Sequence, residues 1–429
     1  MTTSPQPRLI SAGTMMRAGQ RSLRDHNLSL VYRHIAAADP EHPYSRADLA
    51  EITGLTKATV SSLVTDLRTA RLVVELDPPA PHGVGRPAIP LVVASGTAVA
   101  LGLEINVDFV GIRAVDLTGL VIDECFERTN LRSSEPHTAF TALLKMAYDV
   151  VSRLVDSSIR VIGACLALPG IADRPSGPLR LAPNLGWRDV DIIGTMATSY
   201  ETFASHEDIR DDVASVLYSL LIDHLVVENE ANLAARTETG QHRNESFIYV
   251  SGEVGIGAAI VVNGRVVSGV HGWAGEIGHI MVDSAGPQCA CGAAGCLEMY
   301  AGKESLMVAA GFPADDNLDA LLAAHDRDDP QAAAAIDRAA AALGIALSDC
   351  MNVVDVSRVV LGGSFAELSP VLMPGLLEQI HSRVLSARWV GEDLAVRAAD
   401  SGTFPATTGS ALAVLDHAIS DPNSSLWSE

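Results

Sequence analysis

Aromatic residues are scarce in this chain. Phe, Trp and Tyr make up 4% of 429 residues, while 48% are hydrophobic. Any core must therefore be assembled mainly from Ala, Val, Leu and Ile. No apolar run reaches the length needed to span a bilayer, and no N-terminal signal segment stands out, so the expectation is a protein without a membrane role in a reducing cytoplasm. Positive charge is also short. Lys and Arg number 30 against 52 Asp and Glu, a net charge of −22. Such a surface as a whole repels a nucleic-acid backbone. Cysteine is sparse, with six residues, too few for a disulfide-stapled scaffold in a chain this long.

The shortages are unevenly distributed. Residues 1–96 hold ten Lys or Arg against eight acids, whereas the remainder holds twenty against forty-four. A mildly basic head on an acidic body suggests separate tasks. Three of the six cysteines, Cys289, Cys291 and Cys296, crowd together, with His279 shortly upstream. Soft thiolates plus one imidazole suit a closed tetrahedral zinc site of structural type. A disulfide fits less well, because Cys289 and Cys291 are too close for an easy bridge and three thiols leave one unpaired. Cys125, Cys165 and Cys350 lie in apolar surroundings and suit inert core thiols. Glu276 and Glu298 flank the cluster, two carboxylates held beside a metal-stiffened loop.

The head carries a helix-turn-helix pattern with a wing. Leu28, Val31 and Ile35 share a helical face within residues 27–38. Ser45 is placed to cap the next helix, which Gly54 terminates; Thr56 caps a third, with Val60, Leu63, Val64 and Leu67 on one side. RLVVELD and AIPLVVA then form the strands of a β-wing, with Arg86 at its tip. Ser45, Thr56, Lys57, Thr59, Ser61 and Ser62 are the candidate DNA-contacting residues. Arg86 is placed to enter a minor groove, favouring A·T-rich DNA. The bland alternative is a pair of packed helices with no DNA role.

The body shows strand meanders followed by helices, twice over, a pattern that fits two α/β lobes with a cleft between them. HGWAGEIGH, CACGAAGCLE, VENEANLAA, GEVGIGAAIVVNG and VVLGGS together resemble the ROK family of repressors and sugar kinases. The resemblance covers about residues 97–420. It implies an α/β fold of actin-like, hexokinase-like type with two RNase H-type lobes, and the winged head places the chain beside the repressor branch. The expected division is a disordered segment 1–20, a winged helix-turn-helix domain 21–96, lobe 1 at 97–225 together with a C-terminal helix at about 405–420, and lobe 2 with the zinc site at 226–404. The tail from 420 onward is expected to be disordered.

By the same resemblance, Asn184, Asn229, Glu230, Glu276, His279 and Glu298 would face the hydroxyls of a sugar. His279 would also ligate zinc through its other nitrogen. More ordinary roles stay open: His279 as a ligand only, Glu276 and Glu298 as supports of the zinc site, Glu230 as a solvated residue at a helix start. Kinases of the family carry Asp-x-Gly-Gly-Thr on the first hairpin; here Glu104, Ile105, Asn106, Val107 and Asp108 stand there. Gly255, Gly257 and Gly362–Gly363 remain in the other phosphate turns, but Glu253 and Val254 replace Gly-Thr. Glu230 replaces the catalytic Asp, a lengthening that displaces the base. The expectation is a sugar-responsive repressor without enzymatic activity, binding a palindromic operator as a homodimer or tetramer. The alternative is an ATP-dependent sugar kinase with a DNA-binding head.

Overall fold

The computed structural model describes residues 20–39, 41–77, 88–173, 177–206, 209–241, 245–391 and 394–420. Of the segments expected to be disordered, 1–20 and 420 onward, residues 1–19 and 421–429 lie outside the described residues, while Gln20 and Ser420 are the end residues of helices. Contacts divide the chain into one unit of residues 1–94 with 417–429, and a second of residues 95–416.

The first unit begins with α1 (Gln20–Ala37), which starts before the expected stretch and buries Val31, Tyr32 and Ile35. Next comes α2 (Arg46–Thr53). The Ser45 hydroxyl accepts from the Ala47 and Asp48 amides, the Asp48 carboxylate accepts from the Ser45 amide, and Gly54 closes the helix at φ 70°. A cap of this kind stabilises by about 1 kcal/mol. In α3 (Lys57–Thr69) Thr56 accepts from the Thr59 amide, and Val60, Leu63, Val64 and Leu67 are buried together. β1 (Val73–Glu75) and β2 (Leu91–Val93) pair antiparallel, Val73 opposite Val93. The turn between them, with Arg86, lies outside the described residues.

The second unit contains two five-stranded sheets of the same design. In the first, β3 (Ala98–Ile105), β4 (Phe109–Asp116) and β5 (Val121–Arg128) form an antiparallel meander. After α4 (Pro136–Asp156), β6 (Arg160–Leu168) joins β3 in parallel. A small antiparallel sheet of β7 (Ile171–Ala172), β8 (Leu179–Ala182) and β9 (Trp187–Val190) follows, then α5 (Ile192–His206) and α6 (Asp211–Tyr218). β10 (Val226–Asn229) completes the first sheet beside β6, and α7 (Glu230–Gln241) leaves it. All of β3 is buried, and its residues are apolar apart from Glu104 near its end.

The second sheet opens with the meander β11 (Phe247–Gly252), β12 (Ile256–Val262) and β13 (Arg265–Val266). The cysteine-rich loop, α8 (Glu298–Ala301), α9 (Lys303–Ala309), α10 (Leu318–His325) and α11 (Pro330–Val354) come next. β14 (Arg358–Gly363) lies parallel to β11, and α12 (Ser364–Glu367), α13 (Ser369–Arg383) and α14 (Leu385–Val390) lead to β15 (Ala395–Ala398). The sheet orders β10-β6-β3-β4-β5 and β13-β12-β11-β14-β15 are the same arrangement, third, second, first, fourth and fifth in chain order. α15 (Pro405–Ser420) closes the chain. Its Gly409 lies so close to the Leu233 carbonyl that a Cβ would sit 1.8 Å from it, and Gly102 of β3 is equally tight against the Thr407 carbonyl. Only glycine permits this packing of α15 on lobe 1.

One expectation needs correction. Residues 226–229 belong to the first sheet, so a boundary at 225/226 falls one strand early. The periodicity shows a strand turning into a helix there, but only pairing decides which sheet takes the strand. Ala395–Ala398 is an edge strand paired with β14. Its side chains are half-buried or exposed, so the backbone ladder orders it without any apolar alternation.

Candidate functional site

The site is assembled from strand ends. Where β10 passes into α7, the Asn229 side-chain oxygen accepts from the Ala231 and Asn232 amides, and its amide donates to the Gly170 carbonyl at 3.0 Å. Asn229 thus caps α7 and ties it to the turn after β6. Glu230 follows as the first residue of α7. On the other side, the Ile256 amide at the start of β12 donates to Glu298 Oε2 at 3.1 Å. Gly255 makes room for this: a Cβ there would lie 2.4 Å from Glu298 Oε2 and 3.2 Å from Asn184 Nδ2. A short 3-10 turn, Ile277–His279, follows Glu276 and presents His279.

These elements line an open cleft. All six residues expected to face a sugar line it: Asn184, Asn229, Glu230, Glu276, His279 and Glu298. Pro169, Ile171, Leu181 and Pro183 supply an apolar wall. Polar groups opposite an apolar face are the makeup of a small-molecule site.

Cys291 also borders the cleft, which joins it to the metal-ligand cluster. The ligand atoms of His279, Cys289, Cys291 and Cys296 all lie within 4.8 Å of one another. His279 Nδ1 is 3.7 Å from Cys289 Sγ, and Cys291 Sγ is 3.7 Å from Cys296 Sγ. A zinc ion with thiolates at about 2.3 Å requires tetrahedral edges of about 3.8 Å, so the donor set fits that ion. The Gly295 amide donates to the Pro287 carbonyl, and at φ 72° Gly295 packs so tightly on the Asp283 carbonyl that no Cβ fits.

A second, larger cavity meets the first at Glu230 and Gly257. Its walls carry the carboxylates of Glu104, Asp108, Glu253 and Glu367, with Lys303 among them. Phe109, Phe126 and Phe404 form a ring cluster on one side, Phe126 and Phe404 stacked at 3.9 Å. At the junction, Asn106 Nδ2 donates to Glu104 Oε1 and to Glu230 Oε2, both at 3.2 Å. Asn106 Oδ1 accepts from the Val107 amide at 2.7 Å, and Thr407 Oγ1 donates to Glu104 Oε2 at 2.5 Å. A side chain therefore fills the point at which a glycine would leave open backbone.

The carboxylates crowd one another. Burial holds Glu104 above the usual carboxylate range despite its bonds to Thr407 and Asn106. Burial, then repulsion from Glu104 and Glu253, raises Glu230 well above it. Glu253 lines the second cavity with its side chain open to solvent; desolvation against the cavity wall and the Glu104 charge raise it above the usual carboxylate range. Glu276 is raised by burial, with His279 opposing and Glu298 adding to the shift.

In the head, Thr56, Lys57, Ser61 and Ser62 are exposed and Thr59 is half-buried. Ser62 Oγ accepts from Arg24 Nη2 at 3.2 Å, and Arg24 pairs with Asp66 at 2.5 Å. Ser45 corrects the expectation. It is buried, and its hydroxyl is occupied as the cap of α2, so it offers nothing at the surface. Capping and DNA contact draw on the same residue types, and the sequence does not separate them. The bridge from Asn106 to Glu230 joins residues 124 positions apart and leaves no local signal in the sequence. Among the described residues no helix is long and apolar enough to cross a membrane.

Comparison with known proteins accords with this architecture. The ROK family profile matches residues 110–417. The xylose repressor of Bacillus subtilis (strain 168) is 28% identical over 405 residues, covering 93% of this chain and 97% of its own. The DNA-binding transcriptional dual regulator NagC of Escherichia coli (strain K12) is 28% identical over 376 residues, covering 84% and 86%. Among solved structures, a ROK family transcriptional regulator described as a homolog of the E. coli MLC protein superposes with a TM-score of 0.71 at 22% identity, over 92% of this chain and 98% of its own. The α/β lobes are of the kind found in ROK regulators and hexokinases. The chain belongs to the ROK family.

Proposed function

We propose that this protein is a transcriptional repressor of carbohydrate-metabolism genes whose operator binding responds to a sugar in the first cleft. The observation that carries this reading is the convergence of Asn184, Asn229, Glu230, Glu276, His279 and Glu298 on one cleft beside an apolar wall. Carboxylates and amides fixed by backbone bonds, as Asn229 and Glu298 are, match a pattern of hydroxyls and reject a sugar that leaves one of them unpaired. Full-length similarity to repressors, head included, supports the DNA-binding half.

Lys57 and the hydroxyls of Thr56, Thr59, Ser61 and Ser62 at the start of α3 are read as the groove-facing residues, with Arg86 of the wing beside them. The operator would be an A·T-rich palindrome bound by a homodimer or a tetramer built from such dimers. A sugar acts only through its different affinity for the DNA-competent and DNA-incompetent arrangements.

His279, Cys289, Cys291 and Cys296 would hold zinc. The ion would act structurally, cross-linking the loop that carries the cleft wall, since four protein ligands close its coordination shell. With His279 Nδ1 facing the cluster, Nε2 is the nitrogen offered to the sugar.

Catalysis is disfavoured by Asn106. It ties Glu230 by a hydrogen bond, and its side chain stands where a phosphate would need bare backbone. Two measurements test the reading together. Purified protein should bind its own promoter DNA in a gel shift and release it when the inducing sugar is added. Sugar and ATP in a coupled assay should give no turnover. Operator binding indifferent to every sugar tried, or turnover near the kinase range of about 1 per second, would overturn it.

A further inference from the structure

We infer that the cleft takes an uncharged sugar and excludes the phosphorylated form of the same sugar. The inference rests on the reading of the first cleft as a sugar site. Phosphate recognition needs either a cation or free backbone amides at a helix start or turn. Among the described residues lining this cleft there is no Lys or Arg. Three amides at the starts of α7 and β12 are already occupied. Those of Ala231 and Asn232, at the start of α7, donate to Asn229 Oδ1. That of Ile256 donates to Glu298.

The charge that is present has the wrong sign for a phosphate. Glu230, Glu276 and Glu298 face the cleft itself. A phosphate projecting past Glu230 into the second cavity would meet Glu104, Asp108 and Glu253, with Glu367 beyond. Lys303 is the cation on that side, with Arg128 further along the wall, against four carboxylates. On the remaining polar side stands the metal-ligand cluster, where three thiolates outweigh a divalent ion by one charge. At the junction of the two cavities Glu104 and Glu253 act on Glu230 as like charges. A dianion would add to that repulsion. The hydroxyls of an uncharged sugar, by contrast, donate to carboxylates whatever their crowding.

Calorimetric titration of the full chain tests this. The ligands are D-glucose, N-acetyl-D-glucosamine and D-xylose, each paired with its terminal phosphate ester. For any sugar that binds, the ester is expected to bind at least about 100-fold more weakly, because like charges face to face cost several kcal/mol. The Asp108→Asn, Glu253→Gln variant should keep the affinity for the uncharged sugar and narrow the gap at least about 10-fold. An ester that binds as tightly as its parent, or tighter, overturns the inference and leaves the sugar site standing. A gap unchanged in the variant overturns the assignment of the excluding groups. Binding of no sugar in either form removes the sugar site, and the inference with it.

Discussion

Replacing Gly255 by alanine should abolish tight ligand binding without unfolding the protein. Gly255 is not in the left-handed region, so alanine fits the backbone. Its new Cβ would lie 2.4 Å from Glu298 Oε2, a contact real structures do not tolerate, and 3.2 Å from Asn184 Nδ2. The near atom is the end of a flexible side chain, so Glu298 swings away and gives up its 3.1 Å bond from the Ile256 amide. The fold loses one half-exposed hydrogen bond, about 1 kcal/mol. The ligand loses a carboxylate aimed at a hydroxyl, and hydrogen bonds to charged groups contribute about 1.5–3 kcal/mol, or roughly 10- to 150-fold in Kd. The assay pairs calorimetric titration of whichever sugar gives the largest thermal shift with a melting curve of the free protein. The expected outcome is a Kd raised roughly 10- to 100-fold and a Tm within about 3 °C of the parent. A Kd within about twofold of the parent would mean that Glu298 serves only the loop, and would remove it from the binding set.

Cys289→Ser and Cys291→Ser should each lower bound zinc, measured by elemental analysis of the purified chain, and lower Tm; full metal content with unchanged melting would contradict a structural role for the cluster. Lys57→Ala should weaken operator binding severalfold and make it less salt-dependent, by about one counterion in a gel-shift salt series; an unchanged salt slope would place Lys57 away from the phosphates. Arg86→Ala should also weaken binding severalfold, and full retention would take the wing out of the interface. Glu104 binds its proton more tightly folded than unfolded because it is buried. Stability should therefore fall as pH rises above its ordinary range toward the raised folded value. Glu104→Gln should flatten that part of the Tm-against-pH curve, and an identical slope would show that the carboxyl is not the group responsible.

Much of this protein is written locally. The capping residues Ser45 and Thr56, the αL glycine at 54 and the apolar face of α3 are all short-range signals, and α2 and α3 form where those signals place them. The metal-ligand set was equally legible, because Cys289, Cys291, Cys296 and His279 are close in sequence and their chemistry is restrictive. Paired meanders disclosed two lobes of one design because short strand segments separated by turns recur in the same order.

What the sequence could not settle was pairing over distance. That Val226–Asn229 joins the first sheet and Ala395–Ala398 the second depends on which edge is open once the lobes fold. Whether a hydroxyl such as that of Ser45 faces solvent or its own helix depends on burial that no local pattern records. The link from Asn106 to Glu230 joins residues 124 positions apart. The crowding of Glu104, Glu230 and Glu253 exists only because two strand ends and a helix start converge. Local chemistry chose the helices, strands and metal ligands by itself. The electrostatics of the cleft came from tertiary structure, because charge interaction depends on separation in space and on desolvation, and chain order specifies neither.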